Sequence, residues 1–434
     1  MKMPTAAYYT LGCKVNQTDT AALQQLMEQA GYTTVQFEAK ADVYVINTCT
    51  VTHLGDRKSR QMIRRARRRN SEAVIVVAGC YAQVAAEDVM SMPAVDLVIG
   101  THSRERLPEL VEQAKLGRIN SVTPLEGKVA FDNLAVGQSP EHTRAFLKVQ
   151  EGCRQFCSYC IVPYARGPLY SRPLAEAVSA AQKMVAQGFR EVVLTGVHLG
   201  CYGFDFTEDL ALSDLVRALA AVDGLARIRI SSIEPTEVTA DLIEVMLDNP
   251  NVCHHLHIPL QSGDDDVLQR MNRKYNKMEF LRLAEWLRMQ ISDIALTTDV
   301  MVGFPGETEE QFSNTMQVVR KAAFSRLHVF KYSPRRGTPA AKYPQQVPPP
   351  VKNERSQRLT ELGQELASKY QQGFLEQEVN VLFEEEVGAN QVAGLTEHYV
   401  RVKAAGSDQM LGKIVPVRIT ALTAEGLLGI LSES

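Results

Sequence analysis

The chain has 434 residues, a net charge of −3 and an apolar content of 45%, which describe a globular protein of two or three domains. No apolar run approaches the roughly 18 residues of a membrane helix, and the N-terminus lacks a signal-peptide core, so we expect no membrane partner. Eight cysteines are few for this length, which argues against a disulfide scaffold and favours the reducing cytoplasm.

Residues 1–115 alternate short apolar strands with helical segments, which predicts an N-terminal domain with a parallel α/β sheet. The predicted strands are residues 7–11, 42–47, 73–78 and 95–99. The first three strands are each followed by a cysteine, namely Cys13, Cys49 and Cys80. Because parallel strands end at one edge of their sheet, the three cysteines are expected to meet there. A lone cysteine is usually a small buried residue, but three at equivalent strand ends predict a three-thiolate iron–sulfur cluster.

A basic run follows Cys49: residues 57–69 contain eight Lys or Arg side chains and no acid. On a helix, Ile63 and Ala66 can face the sheet while one arginine row points away from it. Such a run is either a solvated helix face or a contact surface for a phosphate-bearing partner. The candidate RNA-binding residues are Arg57, Arg60, Arg64 and Arg68, with Arg67 beside the last of them.

Residues 139–370 follow a polar linker at 124–140 and contain six strand-then-helix units, which predict a partial (β/α)6 barrel. The predicted strands lie near residues 147–149, 191–195, 226–230, 255–258, 294–299 and 327–331. His254, His255 and His257 alternate along the fourth strand, and we expect hydrogen-bonded imidazoles there in preference to a metal site. Cys201 and Cys253 have no partner spacing and are expected to be structural.

Cys153, Cys157 and Cys160 stand in C-x3-C-x2-C spacing directly after the first of these strands. Three thiolates can hold three irons of a [4Fe-4S] cluster and leave the fourth iron open to S-adenosylmethionine, whose one-electron reduction yields a radical. A zinc knuckle and a scatter of buried thiols are the alternatives. Zinc sites usually have four ligands, however, and no fourth Cys or His lies close by in the sequence.

Residues 151–160 resemble the signature of the radical S-adenosylmethionine superfamily, including the aromatic Tyr159 before the last cysteine. The resemblance implies that the loops after the barrel strands line the cofactor and substrate cavity. The candidate cofactor-binding residues that it implies are Tyr159, Gly196, Glu234, Gln261 and Asp299. Ordinary turn chemistry is the alternative explanation for the Gly- and Pro-containing loops. Arg166 and Arg172 are expected to meet a phosphate or carboxylate of the substrate.

Over nearly its full length the chain resembles the methylthiotransferases, which carry three cysteines in an N-terminal domain and C-x3-C-x2-C in a middle domain. Residues 10–17, 47–52 and 56–61 resemble the branch that acts on N6-threonylcarbamoyladenosine at position 37 of the tRNA anticodon loop. The resemblance implies two [4Fe-4S] clusters, S-adenosylmethionine, a sulfur source and an electron donor such as flavodoxin or ferredoxin. The alternatives are methylthiolation of isopentenyladenosine in tRNA or of a ribosomal-protein aspartate, and a non-catalytic iron–sulfur RNA-binding protein.

Residues 371–434 follow a Pro-rich spacer at 344–350 and a predicted helix at 352–371, and their short strands predict a small β-barrel. The predicted strands are residues 379–383, 398–403, 414–419 and 426–430. The segment resembles the TRAM domain, an RNA-binding barrel. With nine acidic residues against four Lys or Arg, it either binds RNA through a local patch such as Tyr399, Arg401 and Lys403 or serves as a docking module.

Overall fold

The computed structural model describes residues 3–50, 53–125, 131 and 143–432. The chain forms two compact units. The first unit comprises Met1–Ser139, Gln150–Arg172 and Ser333–Ala341, and the second comprises Pro140–Val149, Pro173–Tyr332 and Lys342–Ser434. The division into domains at 1–115, 139–370 and 371–434 stays a prediction, and most of the predicted linker at 124–140 lies outside the described residues.

The N-terminal sheet has six strands in the order β2-β1-β3-β4-β5-β6, and each neighbouring pair is parallel. The strands are β1 (Thr5–Thr10), β2 (Thr33–Val35), β3 (Val43–Thr48), β4 (Val74–Gly79), β5 (Leu97–Ile99) and β6 (Ile119–Ser121). The helices between them are α1 (Lys14–Gln29), α2 (His53–Arg69), α3 (Cys80–Val84), α4 (Ala86–Met90) and α5 (Leu107–Ala114). This confirms the predicted parallel sheet. The two unpredicted strands, β2 and β6, are three-residue edge strands and too short to show a periodic pattern.

Both faces of this sheet are covered, as continuous apolar strands such as β3 and β4 require. One face packs against α2, α3 and α4, whose buried side chains include Ile63 and Ala66 as expected. The other face packs against α1 and α5. The strand ends therefore remain as the edge at which polar side chains and thiols can gather.

The middle of the chain contains a four-stranded sheet of order β10-β9-β7-β8 and a three-stranded sheet of order β11-β12-β13. Its strands are β7 (Ala145–Glu151), β8 (Tyr170–Ser171), β9 (Glu191–Gly196), β10 (Arg227–Ile230), β11 (His255–His257), β12 (Ala295–Val302) and β13 (Arg326–Lys331). Its helices are α6 (Val162–Arg166), α7 (Leu174–Ala186), α8 (Leu212–Ala220), α9 (Ala240–Asp248), α10 (Asp265–Arg270), α11 (Lys277–Gln290), α12 (Glu309–Ala322) and α13 (Pro349–Gln372).

Parallel bridges from Ile228 to Val252 and from Ser232 to His257 continue the hydrogen-bonded order from β10 to β11. The six predicted strands therefore follow one another as β7-β9-β10-β11-β12-β13, the arrangement of a partial (β/α)6 barrel.

The sequence also marks where helices begin. Thr308 caps α12 by accepting from the Gln311 amide, and the Gln311 side chain returns a hydrogen bond by accepting from the Thr308 amide.

The C-terminal strands form a closed barrel of order β14-β15-β16-β18-β17, which confirms the predicted small β-barrel. They are β14 (Glu378–Gly388), β15 (Gln391–Thr396), β16 (Arg401–Ala405), β17 (Ile414–Thr423) and β18 (Gly426–Leu431). The unpredicted strand is β15, in which Ala and Gly interrupt the alternation. The helix α13 begins inside the predicted spacer, because proline is compatible with a first helical turn. Among the described helices, none combines the length and apolar character that a membrane span requires.

Within the second unit, the C-terminal barrel is docked through buried arginines of β10. Arg227 donates to the carbonyl oxygens of Leu395 and Asn380 at 3.0 and 2.7 Å, and Arg229 donates to that of Thr396 at 3.1 Å. In the predicted RNA patch, the Tyr399 ring centroid lies 4.6 Å from the Arg229 guanidinium, and the partly exposed Arg401 pairs with the exposed Glu385. The β10 contacts are those of a docked barrel, and RNA binding by the patch stays a prediction.

Candidate iron–sulfur and cofactor sites

The first site is the carboxyl edge of β1, β3 and β4, which are neighbours in the N-terminal sheet. Cys13 precedes α1, Cys49 follows β3 and Cys80 begins α3, so all three lie at this edge. Gly12 has φ of +112°, and a Cβ on it would lie 3.2 Å from the Cys49 sulfur. The glycine therefore allows the backbone before Cys13 to approach Cys49 closely.

Cys80 is the buried member of this triad, and its sulfur accepts a hydrogen bond from Arg166 Nε at 3.2 Å. Burial raises the pKa of the Cys80 thiol to about 12, and the Arg166 guanidinium acts in the opposite direction. A thiol with a raised pKa stays protonated at neutral pH unless a metal ion binds its sulfur, and the adjacent guanidinium would then offset the negative charge of the thiolate. Three sulfurs beside a cationic donor fit a [4Fe-4S] cluster with one open iron.

Arg166 is almost fully buried, at 1% exposure, and organises the first site. Its Nη1 lies 2.8 Å from Asp19 Oδ2 and 3.1 Å from Glu151 Oε2, and Arg104 also binds Asp19, at 2.6 Å. Two arginines and two carboxylates thus form a compact neutral cluster. The expectation that Arg166 meets the substrate is wrong, because every donor group of its guanidinium faces a neighbour inside the fold.

Arg172, the second arginine for which we expected a substrate contact, is also buried. Its guanidinium lies 4.7 Å from the centroid of the Phe131 ring, a cation–π contact. Sequence reasoning could not identify the structural role of either arginine. The partners of Arg166 on α1 are about 150 residues away in the chain, and no local sequence pattern predicts a contact over that separation.

The second site is the loop between β7 and α6, which carries Cys153, Cys157 and Cys160. The Gln155 amide donates to the Cys153 sulfur at 3.4 Å, and the Cys160 amide donates to the Cys157 carbonyl at 2.9 Å. The first of these hydrogen bonds stabilises thiolate charge and would tune a bound cluster, and the second closes the turn that holds Cys157 and Cys160 near each other. The loop is therefore suited to hold three thiolates around one [4Fe-4S] cluster.

Gly152 provides the entry to this loop, with φ of +77° and no room for a side chain. A Cβ at Gly152 would lie 1.6 Å from the Pro168 carbonyl oxygen. We expect Gly152→Ala to lower the free energy of unfolding by more than about 2 kcal/mol and to reduce cluster loading. The backbone strain of alanine at a positive φ and the overlap of its Cβ with the Pro168 carbonyl oxygen both contribute to this loss. Thermal denaturation and iron content measure the two effects.

Gly188→Ala is the matched control for this prediction. Gly188 also has a left-handed backbone, with φ of +95°, but a Cβ added there would meet no atom of the described residues within 4 Å. It should therefore show only the backbone strain, about 1 kcal/mol, with normal iron content. Equal effects of the two substitutions would contradict the packing explanation.

The predicted cofactor residues are half-buried, and Gly196, Glu234 and Gln261 lie at or beyond barrel strand ends, while Tyr159 lies in the cysteine loop. Asp299 was expected to end its strand but lies within β12, which continues to Val302. Gly196 ends β9, and Glu234 follows β10. Gln261 adopts φ of +61°, and its amide donates to the Asp299 carbonyl at 2.9 Å. The structure thus brings Gln261 and Asp299 together at the backbone.

The two candidate carboxylates have different environments. Burial raises the pKa of Glu234, while Arg273, which donates to its carboxylate, acts in the opposite direction. Burial also opposes ionisation of Asp299, but hydrogen bonds from His257 and His328 hold the pKa of Asp299 well below its usual range. Sequence reasoning missed Arg273 and His328, although His328 is the direct register partner of Asp299 on β13.

The predicted basic face lies on α2. Arg57, Arg64 and Arg68 are exposed, and no acidic side chain in the described part of the chain pairs with them. Arg60 is half-buried and donates to the Tyr81 hydroxyl at 3.3 Å. Arg67 is not part of the face, because it binds Asp96 at 2.5 Å. The face thus presents three cations to solvent.

One cysteine loop follows the first strand of a partial (β/α)6 barrel, and three further cysteines lie on a separate parallel sheet. Together these features define the class of radical S-adenosylmethionine proteins with an additional N-terminal cysteine site. Family models match the same two regions. Residues 147–319 match the Radical SAM superfamily, and residues 5–100 match the Uncharacterized protein family UPF0004.

The chain is 46% identical over 424 residues to the threonylcarbamoyladenosine tRNA methylthiotransferase MtaB of Bacillus subtilis, with 96% of this chain and 94% of that protein covered. It is 37% identical to a tRNA-2-methylthio-N(6)-dimethylallyladenosine synthase of Acidothermus cellulolyticus, with 97% and 88% covered. The chain belongs to the radical S-adenosylmethionine tRNA methylthiotransferase family. The protein is accordingly a transferase that uses S-adenosylmethionine and [4Fe-4S] clusters in the methylthiolation of tRNA.

Among solved structures, the fold is similar to the radical S-adenosylmethionine methyltransferase TsrM of Kitasatospora setae, with a TM-score of 0.58 and 16% identity. The alignment covers 78% of this chain and 77% of that one. At this identity the likeness concerns the fold alone, and it supports the assignment of the barrel.

Proposed function

We propose that the protein methylthiolates carbon 2 of N6-threonylcarbamoyladenosine at position 37 of tRNA. The observation that carries the proposal is the set of two cysteine triads, one at the edge of a parallel sheet and one in the loop after the first strand of a (β/α) barrel. The relative named MtaB supports the choice of base, because it matches this chain at higher identity than the dimethylallyladenosine synthase does.

In this proposal Cys13, Cys49 and Cys80 hold the cluster that transfers sulfur, and Cys153, Cys157 and Cys160 hold the cluster that serves radical formation. The donor sets support two clusters of this kind, since each offers three thiols and leaves one iron without a protein ligand, and the division of roles follows the family resemblance. Bound together, the clusters and S-adenosylmethionine supply the electron, the radical, the sulfur and the methyl group. The net change at the base replaces the C2 hydrogen with an S-methyl group.

The remaining residues position the reactants. Tyr159, Gly196, Glu234, Gln261 and Asp299 are proposed to contact S-adenosylmethionine. Arg273 orients the Glu234 carboxylate for the ribose hydroxyls, and His257 and His328 keep Asp299 ionised. An unpaired anticodon-loop base reaches such a site without the melting of a helix. An electron donor such as flavodoxin or ferredoxin and a sulfur source complete the proposal.

Nucleoside mass spectrometry of total tRNA tests this function in cells with and without the gene. We expect only 2-methylthio-N6-threonylcarbamoyladenosine to disappear in the deletion strain and to return with the wild-type gene. Loss of the 2-methylthio isopentenyladenosine instead would retain the chemistry and refute the proposed base. No change in either nucleoside would refute an RNA substrate and direct attention to a ribosomal-protein aspartate.

The exposed face of α2 is proposed to bind the tRNA backbone. We expect the triple variant Arg57→Gln, Arg64→Gln, Arg68→Gln to bind tRNA at least about tenfold more weakly at about 0.1 M salt, because three phosphate contacts are lost. The slope of log K against log salt should fall by roughly 2 to 3. Filter binding across a salt series measures both quantities.

The matched control removes the same charge from exposed arginines elsewhere, in the variant Arg282→Gln, Arg320→Gln, Arg326→Gln. Its tRNA affinity and salt slope should stay within about twofold of wild type if the α2 face is specific. Equal weakening of both triple variants would indicate a non-specific effect of net charge and would refute the assigned face.

A further inference from the structure

A group of metal-ligand side chains lies outside the two cysteine triads, in the loops after β9 and β10. His198, Cys201 and Glu237 place one ligand atom each within 4.8 Å of the others. All three are about nine-tenths buried, at 7%, 7% and 10% exposure. The loops belong to neighbouring parallel strands, since β9 and β10 pair directly.

The local backbone explains why these residues converge. Leu199–Cys201 is a 3-10 helix with His198 at its N-cap, and residues three apart in a 3-10 helix lie above one another. His198 and Cys201 therefore share one side of the turn. Gly200 leaves room for the third residue, because a Cβ at Gly200 would lie 2.2 Å from Glu237 Oε2.

We propose that His198, Cys201 and Glu237 bind a zinc-class divalent metal ion through imidazole nitrogen, thiolate sulfur and carboxylate oxygen. Thiolate and imidazole ligands favour zinc and related transition metals over magnesium or calcium. Three protein ligands leave a fourth tetrahedral position for water or another group. One thiolate and one carboxylate neutralise a divalent ion, so the buried position carries no net charge.

Two of the three distances between the ligand atoms are close to those of a zinc site. In tetrahedral zinc sites, neighbouring ligand atoms are roughly 3.3 to 3.6 Å apart. The Cys201 sulfur lies 3.4 Å from Glu237 Oε1 and 3.8 Å from His198 Nε2. His198 Nε2 and Glu237 Oε1 are closer, at 2.5 Å, because the two side chains contact each other directly, and they would separate by roughly 0.8 Å to admit a metal ion.

An independent observation comes from the second carboxylate oxygen. Oε2 of Glu237 is buried and accepts no hydrogen bond from the described residues. A buried carboxylate oxygen without a donor is destabilising, and a divalent cation bound at this carboxylate would offset that cost. Two other groups, around Asp293 and Asp299, are more exposed, and each carboxylate already pairs with two imidazoles, so we favour the buried group as the metal site.

The metal would join the loop after Gly196 to the loop after Glu234. Gly196 and Glu234 are both proposed to contact S-adenosylmethionine. It would thus fix these two loops without touching the reacting atoms. Residues 198, 201 and 237 would be positioning residues, and the zinc content of the protein is a readout that does not depend on activity.

The test uses full-length protein purified anaerobically with its clusters loaded from zinc-supplemented cells. We expect about one zinc per chain by elemental analysis, and zinc-edge X-ray absorption should show one sulfur among nitrogen and oxygen neighbours. Glu237→Gln and Cys201→Ser, which preserve side-chain size, should each lower bound zinc about tenfold or more while iron stays constant.

Cys253→Ser is the control, because Cys253 is buried in the same unit and belongs to none of the three cysteine-containing sites. It should retain the zinc of the wild-type protein. Sub-stoichiometric zinc in the wild type, unchanged zinc in a folded Glu237→Gln or Cys201→Ser variant, or zinc with three sulfur neighbours would each overturn the proposal. The last outcome would place the zinc at a cysteine triad instead.

Discussion

Cys157→Ala should abolish the reductive cleavage of S-adenosylmethionine, lowering the rate of 5′-deoxyadenosine formation by at least about 1,000-fold. Cys157 is buried in the loop after β7, where its backbone carbonyl also accepts the Cys160 amide at 2.9 Å. Without this thiol only two cysteines of the loop remain, too few to hold a cubane cluster with one open iron. Anaerobic assays with dithionite-reduced protein measure the cleavage.

Iron analysis gives a second measurement of the same variant. Wild-type protein with two cubane clusters should contain about eight irons per chain, and Cys157→Ala about four. Cys253→Ala removes a buried thiol from outside both triads and should leave cleavage and iron content unchanged. Cleavage by Cys157→Ala within about tenfold of the wild-type rate would refute the assignment of this loop.

Cys49→Ala should separate the two halves of the reaction. We expect it to cleave S-adenosylmethionine within a few-fold of the wild-type rate and to form no methylthiolated nucleoside, because the cluster at β1, β3 and β4 is the proposed sulfur donor. Anaerobic incubation with tRNA followed by nucleoside mass spectrometry measures the product, and 5′-deoxyadenosine in the same reaction measures cleavage.

The control for this variant must exclude a collapsed fold, since Cys49 packs against the Gly12 backbone. The thermal transition of Cys49→Ala should stay within a few degrees of that of the wild type, with about four irons retained. Loss of both activities in a protein that still folds would show that the two clusters do not have separate roles. Full methylthiolation would remove Cys49 from the site altogether.

The stability of the second unit is expected to depend on pH through Asp293, independently of either cluster. A hydrogen bond from His398 lowers the pKa of Asp293 to about 2, against the effect of burial. A carboxyl with a lowered pKa contributes stability above its unfolded pKa, and that contribution disappears as the pH falls from about 4 to about 2. The contact between Asp293 and the C-terminal barrel is therefore weakened in acid.

Several features of this protein follow from its sequence alone. The alternation of apolar strands and helices predicted the parallel sheet, the six barrel strands and the C-terminal barrel. Burial of one face gives each strand or helix a periodic pattern of apolar residues, and this pattern can be read within a short stretch of sequence. The two candidate cysteine sites could also be identified from the sequence. Cys153, Cys157 and Cys160 lie within eight residues of each other, and Cys13, Cys49 and Cys80 each follow a recognisable strand.

The tertiary structure decided which distant side chains meet. Arg166 turns inward to Cys80 and Asp19, His328 faces Asp299 across a strand pair, and Glu237 reaches His198 from the next loop. Each partnership depends on strand order and register, and these are set by how whole faces pack together. Packing joins residues that are tens to hundreds of positions apart, so no local periodicity encodes which of them become neighbours.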